Sequence, residues 1–229
     1  MGILRTALAV TGWSSLGTAV AFTAYTRKSK IYDMDPTDYL LGTTILARFN
    51  PYNNPAMKDI CVRKVPIGQI RPELLENESK LTEAFCAGIW SGWGYSIQRR
   101  VLERKYKNAE TASQLWTVED LQTSPYNPGT LITDHFEIIN KTENSIILRG
   151  GDTPRVQDIR ENDGLLEFTT DVRRDEGVVE FGLKCIFYNG LALPDEEGSK
   201  APPGGSMVKW LHEKYDKILM ESAVRNCMR

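Results

Sequence analysis

Four segments that alternate apolar and polar residues follow one another in the second half of this chain, at residues 130–140, 145–150, 164–173 and 178–188. Alternation with period two sends every second side chain to the same face, the pattern of a strand with one buried side. The polar links at residues 140–144 and 174–177 have the length and composition of hairpin connections. Residues 151–163, polar and carrying Pro154, read as a longer loop, as do the Pro- and Gly-rich residues 193–205. The period then changes: over residues 206–227, Met207, Leu211, Tyr215, Ile218, Leu219 and Ser222 fall along one side of a helix. An antiparallel sheet must cover its apolar face, and this closing helix carries a matching stripe. The predicted fold is therefore α+β, a curved antiparallel sheet wrapped around a long C-terminal helix.

Upstream, Asp35-Pro36 has the chemistry of a helix start, followed by an apolar stripe of Leu40, Leu41, Ile45, Leu46 and Phe49 and a turn at residues 50–55. Residues 59–65 predict a first strand with Ile60 and Val62 on one face. Residues 80–107 carry the longest helical pattern, in which Leu81, Phe85, Ile89, Trp93, Ile97 and Val101 recur. Gly88 and Gly92, four apart, permit close approach of another element or a ligand. Trp90, Trp93 and Tyr95 thicken the same region, as core aromatics or as the wall of a pocket.

At the N-terminus, residues 6–26 form an uncharged run followed by Arg27, Lys28 and Lys30. As a helix the run spans about 31 Å, close to a bilayer core, and the basic cluster would keep the body of the protein in the cytosol. Thr6, Thr11, Ser14, Ser15, Thr18 and Thr23 dilute its hydrophobicity, so two readings stand. Residues 4–26 associate with a membrane, or the helix packs on the rest of the protein. The predicted organisation is an N-terminal hydrophobic extension over residues 1–34 and one α+β domain over residues 35–229.

Several function classes are excluded. Twenty-eight basic residues against 30 acidic ones leave a net charge of −2, with no footprint for nucleic acid. No GxGxxG, P-loop or GxSxG pattern occurs. Cys61, Cys86, Cys185 and Cys227 are scattered outside any CxxC and read as reduced, buried residues. The only histidines, His135 and His212, lie far apart, so a zinc site would need carboxylates or distant cysteines; the expectation is no metal and no cofactor.

Strand parity singles out a few polar residues. In a strand over residues 131–139, Asp134 shares a face with Ile132, Phe136 and Ile138, where its pKa would rise unless a cation pairs with it. Such a carboxyl can protonate or hydrogen-bond a substrate carbonyl. Thr133, His135 and Glu137 would lie on a solvated face; His135 suits proton transfer by its near-neutral pKa. Thr170 is a small polar point on an inner wall with Leu166, Phe168 and Val172. On the next strand Val179, Phe181, Leu183, Cys185 and Phe187 form the apolar face, leaving Glu180, Lys184 and Tyr188 outside. Arg149, Arg155, Arg160, Glu161 and Asp163 crowd one loop, as exposed ion pairs or as a mouth that orients a carbonyl or carboxylate. His212 and Lys209 are expected to face solvent.

The order of strand, helical excursion, antiparallel strands and closing helix resembles the helix-grip fold of the START and polyketide-cyclase-like superfamily. The strings Asp163-Gly164-Leu165-Leu166-Glu167-Phe168 and Phe181-Gly182-Leu183-Lys184-Cys185-Ile186-Phe187-Tyr188, with residues 84–93 and 133–137, are similar to small uncharacterised fungal proteins encoded among natural-product biosynthesis genes. The resemblance covers about residues 35–225 and implies cyclases or pericyclases acting on polyketides and terpenoids, Diels–Alder catalysts among them. The expected function is a cofactor-independent cyclase or isomerase that folds a hydrophobic terpenoid or polyketide in an internal cavity. Asp134, His135 and Thr170 are its candidate catalytic residues, and Trp90, Trp93, Tyr95, Phe136, Phe168, Phe181 and Cys185 its substrate wall. The alternative is a non-catalytic carrier of lipids or sterols. The expected location is the cytosol, free or tethered to a membrane.

Overall fold

Consecutive alternating segments pair antiparallel in the computed structural model, which describes residues 20–193 and 201–229. The strands are β1 (Lys30–Asp33), β2 (Met57–Pro66), β3 (Leu131–Ile132), β4 (Phe136–Lys141), β5 (Ser145–Gly151), β6 (Asn162–Arg173) and β7 (Val178–Asn189). Their order in one curved sheet is β1-β2-β7-β6-β5-β4-β3. The first long strand of the chain thus lies beside the last, and β2 and β7 pair over their full length from Met57↔Phe187 to Pro66↔Val178. The sheet begins at Lys30, inside the segment assigned to the N-terminal extension. Residues 6–19 of the uncharged run lie outside the described residues; residues 20–26 are helical. Among the described residues no helix is long and apolar enough to cross a membrane.

Besides the helical residues 20–26, the described chain has α1 (Thr44–Phe49), α2 (Pro72–Leu75), α3 (Glu78–Ser91), α4 (Ser96–Tyr106), α5 (Val118–Thr123) and α6 (Gly205–Cys227). α3 and α6 lie together on one face of the sheet, a helix-grip-like arrangement. The core between them takes Leu81, Phe85 and Ile89 from α3 and Met220, Ala223 and Val224 from α6. From the strands it takes Val65, Ile146, Leu148, Phe168 and Phe181. All four cysteines are free and buried.

The long helical period at residues 80–107 is two helices. Asn77 starts α3 by accepting the Lys80 amide, and Gly92 ends it in an extended conformation. A 3-10 turn, Trp93–Tyr95, then leads into α4. The reason for the break is the crossing with α6, since a Cβ on Gly92 would stand 2.1 Å from Ser222 Oγ. The helix expected from Asp35 is likewise divided. The Asp35 carboxylate accepts the Thr37 amide at 2.8 Å in a local turn, and Asp38 caps a 3-10 turn at Tyr39–Gly42. Thr43 then caps α1 by accepting the Leu46 amide at 3.2 Å.

Those short elements cover the second face of the sheet, over Leu165, Ile186 and Tyr188. Two residues expected outside are therefore inside or nearly so. Tyr188 is buried, and Lys184 lies between Asp38 at 2.8 Å and Glu167 at 3.0 Å. Two of the three loop arginines differ from the exposed-pair reading in the same way, while Arg155 keeps an exposed pair with Glu110 at 2.9 Å. Arg149 is buried and paired in bidentate fashion with Asp163, at 2.9 and 2.5 Å, with its guanidinium 3.4 Å from the Phe49 ring centroid. Arg160 is buried too and donates to the carbonyls of Val156 and Asp152.

Within α3 itself the close approach is at Gly88, where a Cβ would meet Ala223 O and Asn226 Cβ, each at 2.7 Å. Alanine improves helix propensity by up to about 1 kcal/mol, but overpacking against backbone costs about 1–3 kcal/mol. Gly88→Ala is therefore expected to lower the midpoint of urea unfolding. A midpoint at or above that of the parent would show that the helices do not approach this closely.

Candidate functional site

A pocket of about 320 Å3 lies between the sheet and the N-terminal part of α6. Trp90, Tyr95, Phe136, Leu166, Leu183, Phe187 and Leu219 make most of its wall, while Gln98, His135, His212, Tyr215 and Asp216 bring polar atoms to it. Trp90 anchors the apolar side: its ring centroid lies 4.6 Å from that of Phe136 and 5.0 Å, edge-on, from that of Tyr95. Gly150 makes room beneath Phe136, because a Cβ there would reach the phenyl ring at 2.9 Å.

The polar side is assembled from three distant parts of the chain. The register of β2 on β7 sets Asp59 opposite Cys185. On α6, His212 and Asp216 are four residues apart and project to the same side of the helix. His212 Nε2 lies 3.0 Å from Asp216 Oδ2 and 3.3 Å from Asp59 Oδ2, and Cys185 Sγ lies 3.8 Å from Asp216 Oδ2. One ligand-type atom from each of the four residues falls within 4.8 Å of the other three. The His212 ring stands edge-on to Phe187, with centroids 5.3 Å apart. Asp59 is 0% exposed, and no hydrogen-bond donor among the described residues reaches its Oδ1.

The electrostatics follow from that geometry. Burial by itself lowers the pKa of His212, but Asp216 and Asp59 override it and push it up to about 10. Burial raises Asp216 to about 6 against the opposing pull of His212. Burial, then the charges of Asp216 and Asp59, hold the Cys185 thiol well above its ordinary pKa. In the metal-free protein the cluster is an imidazolium between two carboxyl groups beside a neutral thiol. It keeps a proton next to the pocket, and the same four residues are the ones that could hold a cation.

No single local pattern in the sequence marks this cluster. His212 was expected in solvent, yet its side chain is only 13% exposed. The apolar stripe assigned to the helix explains the difference, since its first members, Met207 and Leu211, are 74% and 54% exposed. The helix is turned so that Asp216, Leu219, Met220 and Ala223 meet the sheet instead. Lys209, also expected in solvent, is partly exposed and pairs with Asp33 at 3.0 Å. On β2 the buried face is Met57, Asp59, Cys61, Arg63 and Val65, while Ile60 and Val62 lie on the half-exposed side. A usable signal existed only in combination: a His-x-x-x-Asp pair on one helix face, and an aspartate sharing strand parity with Cys61 and Val65.

Of the residues singled out from sequence, Trp90, Tyr95, His135, Phe136 and Cys185 line the pocket. Trp93 lies elsewhere, 52% exposed, donating from Nε1 to the Tyr25 hydroxyl at 3.1 Å. Phe168 and Phe181 belong to the solid core around Phe85. Thr170 is buried at 2.6 Å from the Thr82 hydroxyl, away from the pocket lining. Asp134 is not on the apolar face of a continuous strand. The segment turns between β3 and β4, which pair with each other, and Thr133 and Asp134 take φ of 51° and 55° at the turn's centre. Buried Thr133 meets the Tyr95 hydroxyl at 2.5 Å. The cation that pairs with Asp134 is Arg155, at 3.1 Å from Oδ2; Gln114 and Thr153 donate to Oδ1 at 3.1 and 2.9 Å. Gln114 also accepts the Asp134 amide at 2.6 Å. A β-branched residue at positive φ is strained and persists only where its surroundings hold it. Asp134 is thus a positioning residue, which fixes the turn that delivers His135 and Phe136 to the pocket.

No family model matches the chain, and comparisons with curated proteins and with solved structures find no significant match.

Asp134→Ala removes the acceptor shared by Gln114, Thr153 and Arg155. Unpaired buried donors cost about 1–3 kcal/mol, so unfolding in urea is expected to shift by that amount. Unchanged stability would mean that the turn is held without the carboxylate.

Proposed function

We propose that this protein rearranges a hydrophobic small molecule, a polyketide or terpenoid, by intramolecular cyclisation or isomerisation in the pocket beneath α6. The observation that carries the reading is the pocket's polarity: apolar walls on one side, and on the other His212 and Asp216 beside Gln98. A flexible apolar substrate pressed against Trp90, Phe136, Leu183 and Leu219 gives up conformational freedom on binding. Such preorganisation lowers intramolecular barriers by up to about 7–11 kcal/mol in well-oriented systems. The positive pole at His212 would stabilise negative charge developing on a carbonyl oxygen, and Asp216 beside it would hold or return a proton. A [4+2] cycloaddition, which needs shape and carbonyl activation more than acid–base chemistry, fits the same pocket, with dehydration or isomerisation close to it.

The resemblance to small fungal proteins of natural-product gene clusters supports the substrate class. The pocket's volume, at the lower end of the range of about 300–1,000 Å3 for ligand sites, favours one compact molecule. A lipid or sterol carrier, by contrast, has no use for a buried charged pole, whose desolvation is costly.

The test is to incubate the purified protein with the small-molecule extract of its source organism after deletion of the gene. Mass spectrometry should find an isobaric product. His212→Gln and Asp216→Asn should each lose turnover by about 10²–10⁴-fold, while Trp93→Phe, outside the pocket, should retain it. An extract component that binds and emerges unchanged would replace this reading with the carrier.

A further inference from the structure

We infer that Asp59, Cys185, His212 and Asp216 form a binding site for one divalent transition-metal ion of the zinc type. The spacing is that of a coordination shell. Around a tetrahedral ion with metal–N and metal–O distances of about 2.0–2.1 Å and metal–S of about 2.3 Å, ligand atoms stand about 3.3–3.6 Å apart. Three of the six separations are 3.0 Å and 3.3 Å from His212 Nε2 to the two carboxylates, and 3.8 Å from Cys185 Sγ to Asp216. The four ligand atoms all lie within 4.8 Å of one another, so side-chain movements of up to about an ångström would close the shell.

A second observation is independent of spacing. Asp59 is wholly buried and points its carboxylate at this cluster, yet Oδ1 has no donor among the described residues. Its Oδ2 lies 3.3 Å from His212 Nε2 at a geometry that makes no hydrogen bond, and its carboxyl otherwise faces that of Asp216. A buried carboxylate without donors costs several kcal/mol unless a cation satisfies it. One imidazolium cannot satisfy two carboxylates that converge on the same nitrogen, whereas a divalent ion between them can.

The donor set chooses the class of ion. Thiolate and imidazole favour zinc, cobalt or iron(II) over magnesium or calcium, which take oxygen ligands and more of them. Coordination takes Cys185 as the thiolate and His212 as the neutral imidazole through Nε2, the thiol proton and the His212 Nε2 proton both passing to solvent. Cys185, His212 and Asp216 also line the pocket, so the ion would border the space assigned to substrate. There it would replace the His212 proton as the positive centre and act as a Lewis acid on a carbonyl. This catalytic consequence rests on the function proposed above; the binding site does not.

The test uses the full-length chain, stripped with a chelator, dialysed, and titrated with Zn²⁺ or Co²⁺. One ion per chain is expected by elemental analysis, and the Co²⁺ form should show thiolate-to-metal charge-transfer absorption. In Cys185→Ser that absorption should vanish while Co²⁺ still binds, with circular dichroism unchanged. Asp59→Asn should weaken binding by more than about tenfold. No stoichiometric uptake, or a charge-transfer spectrum unchanged in Cys185→Ser, or an affinity unchanged in Asp59→Asn, overturns the inference. Should Asp59→Asn fail to fold, the spectrum of the conservative Cys185→Ser variant still decides. No substrate enters these measurements. Absence of the ion leaves the pocket's proposed reaction standing, and a bound ion without turnover of the extract removes that reaction and not the site.

Discussion

The contact on which the rest of the structure depends is the near absence of side chain between α3 and α6. Gly88 and Gly92 present bare backbone to Ala223 and Ser222, so the two helices lie closer than any larger residue would allow. The C-terminal end of α6 is pinned at that depth by further bonds. Arg71 donates to the Asn226 carbonyl at 2.9 Å, and Arg63 pairs with Glu221 at 3.3 Å. A rigid helix held at one end carries its other end with it. The position of His212 and Asp216 over β2 and β7 is thus set from residues two to three turns away, and the middle of α6 lies over the pocket.

Polar burial occurs on both faces of the sheet but in different states of satisfaction. On the face under α1, Glu167 accepts from Ser145 at 2.6 Å and from the Tyr39 hydroxyl and pairs with Lys184, while Arg149 and Asp163 bind each other in bidentate fashion. Networks of that kind lock register more than they add stability, because desolvation offsets much of the attraction. The face under α6 differs. Asp59 and Asp216 converge on one imidazole nitrogen, and a carboxylate oxygen of Asp59 is left without a donor. In the first arrangement each carboxylate faces a cation of its own, although the buried Tyr188 hydroxyl there has no hydrogen-bond partner among the described residues, and it reads as architecture. The second is incomplete without something more, which is why the chemistry is placed there.

Strain is distributed in the same way. Thr133 and Asp134 hold an unfavourable turn through bonds to Tyr95, Leu115, Gln114, Thr153 and Arg155. The result is that His135 and Phe136 reach the pocket from a direction an uninterrupted strand would not give. Backbone strain that is over-determined by its neighbours is a common means of presenting side chains at a site.

The amino-acid sequence by itself determined the strands of the second half, the two hairpin links, the closing helix, and hence the α+β class, because each of these is written in a local period of two or of about 3.6 residues. It also placed Trp90 and Tyr95 in one aromatic region, though it put Trp93 there with them, which is 52% exposed and outside the pocket. It did not contain, in any local pattern, the turn at Thr133-Asp134, which lacks the glycine or asparagine such turns normally show, nor the break at Gly92, which exists because Ser222 lies across it. The cluster of Asp59, Cys185, His212 and Asp216 depended on two longer-range decisions: the register of β2 on β7 and the rotation of α6 about its axis. Apolar stripes mark that rotation only to within about a residue, since Met207 and Leu211 could be left exposed for the sake of packing farther along. Local periodicity chooses which elements form. Which of their side chains meet is settled only when close packing selects one register and one rotation from several that the pattern allows.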